Sequence, residues 1–246
     1  MILARLTQAV RQQNWFAVVL EFVIVIAGVV IGFQVTAWNA DRVEQDREAA
    51  YLQQLDVELT TILSDLEQGA SEADAYFRWV QIFLEGVEAD DPERAAQGSW
   101  GLNAITEVVW INLQPAVLTE LISTGELGLI RDSHLRTALA SIPQMQIDSQ
   151  ARMDQMAMRL SNVSFELSRQ FEARLEDVAD IAAARYTNQT LQFDLDAVAE
   201  DAVFLRRLNY AALQNRFQAS HLAIRHDALE RIRDQVRQEI EERDLQ

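Results

Sequence analysis

The sequence predicts an all-α protein: an N-terminal transmembrane helix continuing into an antiparallel helical bundle with long helices. Three observations point there. Residues 15–38 form one apolar run, glycine and proline number only eight and three in 246 residues, and leucines then recur at 3-4-3-4 spacing. A composition rich in Ala, Leu, Glu, Gln and Arg adds to the helical bias.

The anchor comes first. Trp15 to Trp38 reads WFAVVLEFVIVIAGVVIGFQVTAW, with Glu21 its only charge. At ~1.5 Å per residue it spans about 35 Å, enough for a hydrocarbon core of about 30 Å. Tryptophan at each end suits the two membrane interfaces. The run outlasts the ~7–15-residue core of a signal peptide, and no small-x-small cleavage site follows it. Residues 1–14 are read as a short tail carrying Arg5 and Arg11, while Arg42 and Arg47 follow the helix, so the positive-inside count is nearly tied. The amino terminus tips the tail towards the cytoplasm. That puts the anchor in a bacterial inner membrane and the helical domain in the periplasm. Arginine is the sole strongly basic side chain, as in a GC-rich bacterial genome.

Within the anchor, Glu21, Val25, Gly28, Gly32, Val35 and Asn39 fall on one stripe at about 100° per residue. Gly28 and Gly32 make a small-xxx-small pair that lets another helix approach closely. An ionisable group inside a membrane normally faces protein. Glu21, Val25, Gly28, Gly32 and Asn39 are therefore the expected helix–helix interface. The competing reading has Glu21 protonated or snorkelling, and the glycine spacing fortuitous.

Residues 39–246 are expected to form the bundle. A stalk helix over 39–68 carries a seam of Leu52, Leu55, Leu59, Ile62 and Leu66 and ends at Gly69, a natural C-cap. A second helix opens at Ser71, buries Tyr76, Phe77, Val80, Phe83 and Leu84, and ends at Gly86. Residues 86–114 are loop-rich, with a short turn after Pro92; within them 103–113 (NAITEVVWINL) best suits an extended chain. Pro115 signals the next helix, which stops at Gly125, and Asp132 caps another. Pro143 is expected to kink or break it, leaving a long helix over about 144–184. The polar stretch Tyr186–Asp196 precedes a final long helix over about 197–243, whose Leu205, Leu208, Ala212, Ala219, Leu222, Leu229, Ile232 and Val236 keep roughly heptad spacing. Long helices with one apolar stripe must pack on one another, and a bundle is the simplest arrangement.

Two stretches resemble a known family. The first is Asn14-Trp15, Leu20-Glu21, Gly28-Val29, Ile31, Gln34 and Trp38-Asn39, followed by Tyr51-Leu52 and Leu55. The second runs Leu118-Thr-Glu-Leu121-Ile-Ser-Thr-Gly125-Glu-Leu127, then Leu129-Ile130-Arg-Asp132 and Leu135. Together they cover about a third of the chain and resemble a bacterial family of uncharacterised single-span membrane proteins, a domain of unknown function. Aromatic residues usual in that family near Ile142-Pro143 are missing here. The resemblance implies the architecture and supplies no activity.

Charge and motifs narrow the function. The formal charge is −17; residues 1–39 hold Arg5, Arg11 and Glu21, a net +1, which leaves −18 for the rest. So acidic a surface repels nucleic-acid phosphates and anionic lipid headgroups, against a DNA, RNA or polybasic membrane-binding role. Without cysteine there is no disulfide and no thiolate metal site. His221 and His226 point about 140° apart on a helix, poor for shared ligation, and His134 is remote. Met145, Met153, Met156 and Met158 cannot share one face and are expected in the core. No P-loop, dinucleotide fingerprint or nucleophile elbow occurs. The reading is no enzyme, no cofactor and no metal, but an interaction protein integral to the membrane, a homo-oligomer or an accessory subunit of a larger complex, associating through the anchor and the stalk seam from Leu52 to Leu66. The alternative is a periplasmic sensor or ligand-binding bundle, against which the far side would offer only about 14 residues for a signalling output.

Overall fold

A computed structural model describes residues 15–99, 101–102, 105–170, 172–175 and 189–244. Six α-helices account for most of them: α1 (Trp15–Glu88), α2 (Pro92–Ser99), α3 (Ala116–Ser123), α4 (Ser133–Gln170), α5 (Leu195–Glu200) and α6 (Ala202–Asp244). A 3-10 turn, Glu126–Leu129, joins α3 to α4. The class is all-α. The other regular element is a two-stranded antiparallel ladder of β1 (Glu172–Leu175) and β2 (Gln189–Gln192), with Glu172 opposite Gln192 and Leu175 opposite Gln189. The chain divides between Ala50 and Tyr51 into two compact units.

The first unit is helix throughout its described part, and every side chain from Val19 to Arg47 is exposed. Its apolar stretch makes α1 long and apolar enough to cross a membrane. The Thr36 hydroxyl donates to Gly32 O at 2.9 Å, so this polar group is satisfied on its own helix. The expected tail over 1–14 lies outside the described residues.

In the second unit the long helices are fixed by pairs distant in sequence. Arg237 bonds Asp56 at 2.6 Å and Arg216 pairs with Asp74, so α6 runs antiparallel to α1. His221 meets Ser149 at 3.1 Å and Gln218 meets Met153 at 3.4 Å, so α6 also runs antiparallel to α4. Helices α1 and α4 are therefore parallel, and the chain must return between them.

Residues 105–113 make that return without regular secondary structure. Backbone groups buried away from helices still need partners, and side chains of the neighbours supply them at nearly every fourth residue. Ile105 O accepts from Asn215 Nδ2 at 2.8 Å, and Val109 O from Gln218 Nε2 at 3.1 Å. Leu113 N donates to Gln146 Oε1 at 2.7 Å, and Val117 N to Glu58 Oε2 at 3.1 Å. This strap takes the place of a helix, so the four rails α1, strap, α4 and α6 alternate in direction.

Two apolar clusters fill the unit. One joins the seam Leu52, Leu55, Leu59, Ile62 and Leu66 to Leu118, Leu121, Ile130, Leu135, Leu139, Leu229 and Val236. The other joins Val80 and Phe83 to Leu102, Ile105, Met156, Leu160, Phe204 and Leu208. Between them α6 presents the buried Asn215 and Gln218, polar side chains retained because the strap needs their amides.

Several expected boundaries move. The stalk helix does not stop at residue 68, nor does a new one open at Ser71, because α1 continues to Glu88. Gly69 is helical; a Cβ there would lie 2.9 Å from Val109 Cγ1, so the glycine makes room for the strap. Gly86 likewise presses on Ala95, and Gly98 on Phe83, where α1 and α2 cross. The region 86–114 is thus part helix, part strap. Pro143 sits inside α4, which starts at Ser133, tied by Leu135 N to Asp132 Oδ1 at 2.5 Å. That helix ends at Gln170 rather than near 184, since β1 follows at Glu172; residues 176–184 lie outside the described ones. The final helix is split at Asp201, whose carboxylate accepts from Val203 N and Phe204 N at 3.1 and 2.9 Å. Asp194 caps α5 in the same way.

Candidate functional site

Among the described residues, three places are considered for their chemistry. The first is the anchor face. Glu21, Val25, Gly28, Gly32 and Asn39 all lie on the exposed part of α1, and a Cβ added at Gly28 or Gly32 would meet nothing within 4 Å. The face is open for another helix. The seam behaves differently: Leu52, Leu55, Leu59 and Leu66 are fully buried and Ile62 nearly so, all against the chain's own helices. It offers nothing to a second protein.

The second is a cleft of about 480 Å³ between α4 and α6, within the ~300–1,000 Å³ usual for small-molecule sites. Met153 and Met156 are its buried apolar wall, and Phe217 and Ile224 stand exposed at its side. Arg152 and Arg159, about two turns apart on α4, line the same space. Neither is ion-paired with a described residue, whereas Arg78, Arg94, Arg216, Arg233 and Arg237 each hold a carboxylate. His221 also lines the cleft. Burial first, and then the charges of Arg225 and Arg152, hold its imidazole below the usual range, so it favours the neutral form.

The chain matches no family model, no curated protein and no solved structure.

The third place is on α6, where His226, Asp227 and Glu230 bring their ligand atoms within 4.8 Å of one another. His226 Nδ1 lies 3.6 Å from Asp227 Oδ1, and Glu230 accepts from Arg233 Nη2 at 3.3 Å. Arg233 competes for the Glu230 carboxylate, and a half-exposed trio from one helix is a weak ligand set. His226 and His221 point to different sides of the helix, and the neighbour that comes close to His226 is its i,i+4 residue Glu230. Met153 and Met156 are buried, as expected of core residues, and they double as the cleft wall. Met158 is exposed and His134 stands apart on the first turn of α4.

Proposed function

We propose that this is a membrane-anchored interaction protein that associates with another copy, or with a larger inner-membrane complex, through the anchor. One observation carries the reading: Glu21 interrupts an exposed apolar helix face that it shares with Gly28 and Gly32. A carboxylate facing lipid at mid-bilayer depth costs about 2.5–3.5 kcal/mol on insertion scales, and a partner helix removes that contact. An in-membrane association assay on the full chain tests it. Gly28→Ile or Gly32→Ile should weaken association at least several-fold by holding the helices apart, while Val29→Ile should leave it unchanged. Equal association in all three variants would reduce the anchor to a tether.

The bundle is proposed to lie in the periplasm: Arg42 and Arg47 after the anchor offset Arg5 and Arg11 before it, and the amine of the short tail tips the balance. Alkaline phosphatase fused after Gln246 should then be active; a fluorescent cytoplasmic reporter at the same position should be dark. The reverse pattern refutes the orientation.

A further inference from the structure

We propose that the α4/α6 cleft binds a single-chain anionic amphiphile, its charged head on Arg152 and Arg159 and its chain along Met153, Met156, Phe217 and Ile224.

Charge complementarity selects the head. In a chain of net charge −17 carboxylates abound, yet these two guanidiniums face the cleft without one among the described residues. A planar guanidinium matches carboxylate or phosphate oxygens with two parallel bonds, and Arg holds its charge at any physiological pH. A polyanion such as nucleic acid would meet the acidic remainder of the surface, so a single anionic head fits better.

The walls select the tail. Phe217 and Ile224 are 65% and 62% exposed, large apolar side chains left open beside the two cations. A small polar anion would leave them in water. Methionine is unbranched and polarizable, so Met153 and Met156 can adapt to a flexible hydrocarbon chain. The cleft thus offers cations and apolar wall together, the two halves of an amphiphile. Its occupancy is independent of whether the anchor associates.

The head group comes from one of two sources, a fatty-acid carboxylate or a single-chain phosphate, and both share this chemistry. The test uses the full chain in phosphatidylcholine nanodiscs with a diazirine-bearing hexadecanoate as photo-crosslinker, labelled peptides being read by mass spectrometry. Saturable labelling is expected on the peptides around Met153–Arg159 and Phe217–Ile224. Hexadecanoate or hexadecyl phosphate should displace it at least tenfold better than hexadecanol or hexadecyltrimethylammonium, and the better of the two identifies the head group. Arg152→Gln with Arg159→Gln should cut labelling about tenfold at a subsaturating probe concentration, corresponding to about 1.4 kcal/mol. Helix content by circular dichroism should not change, because both side chains are exposed. Should the double variant lose helix, the competition series on the unaltered protein decides alone. Labelling confined to residues 15–38, or equal displacement by neutral, cationic and anionic chains, would overturn the proposal.

Discussion

Gly98 shows how much one missing methyl can hold. A Cβ built there falls 2.1 Å from the backbone nitrogen of Phe83, too close for any rearrangement short of moving α1 from α2. Gly98→Ala should therefore destabilise the bundle by about 1–3 kcal/mol, the usual cost of forcing an extra carbon into a packed site. In detergent, the thermal midpoint should fall by several degrees, while Gly28→Ala, which meets open space, should leave it in place. An unaltered midpoint for Gly98→Ala would mean that α1 and α2 do not cross this closely. The same glycines mark a limit of reading one chain. Gly69 and Gly86 have the composition of helix ends, but a glycine also serves where another segment must press in, and that segment is distant in sequence. The leucine seam was legible because burial follows directly from 3-4-3-4 spacing. The arginine-lined cleft was not, since nothing in the residues around Arg152 shows which helix will lie opposite.

Among the elements, the strap is the one that local propensity describes least completely. Its β-branched and aromatic residues indicate a chain that is not helical; they do not show that it runs the length of a helical bundle as a rail of its own. That placement depends on amides offered by α6 and α4. Asn215→Ala should leave Ile105 O buried without its donor and cost about 1–3 kcal/mol. Chemical denaturation of the variant against the parent chain would measure it; a midpoint shift within error would show that water satisfies the carbonyl instead. Asp201 was hidden for a different reason. Its capping role depends on two bonds, to Val203 N and Phe204 N, and in a chain with 38 acidic residues one aspartate at a helix break does not stand out. Likewise, α4 absorbs Pro143 where propensity alone argues for a break, and ends where β1 and β2 pair, a contact between residues 172–175 and 189–192 that no periodicity foretells.

At the scale of the whole molecule, α4 and α6 both pass through the two apolar clusters of the second unit, and the strap threads from one cluster to the other. Such long-range pairing puts an order on assembly. Asn215 and Gln218 stand 110 and 109 positions beyond the carbonyls they hold, so the strap cannot be fastened until α6 has arrived. What docks late by few contacts is also what opens first. Hydrogen–deuterium exchange of the full chain should show it: the amide of Leu113 and its neighbours should exchange at least about tenfold faster than those of Leu55–Leu66, through a local opening that leaves the helices intact. Equal protection across both would mean that strap and helices unfold only together. In the expected case the molecule has a seam that unzips well below its melting temperature, and each opening briefly bares the amides of Asn215 and Gln218, making this rail the natural first target of a protease.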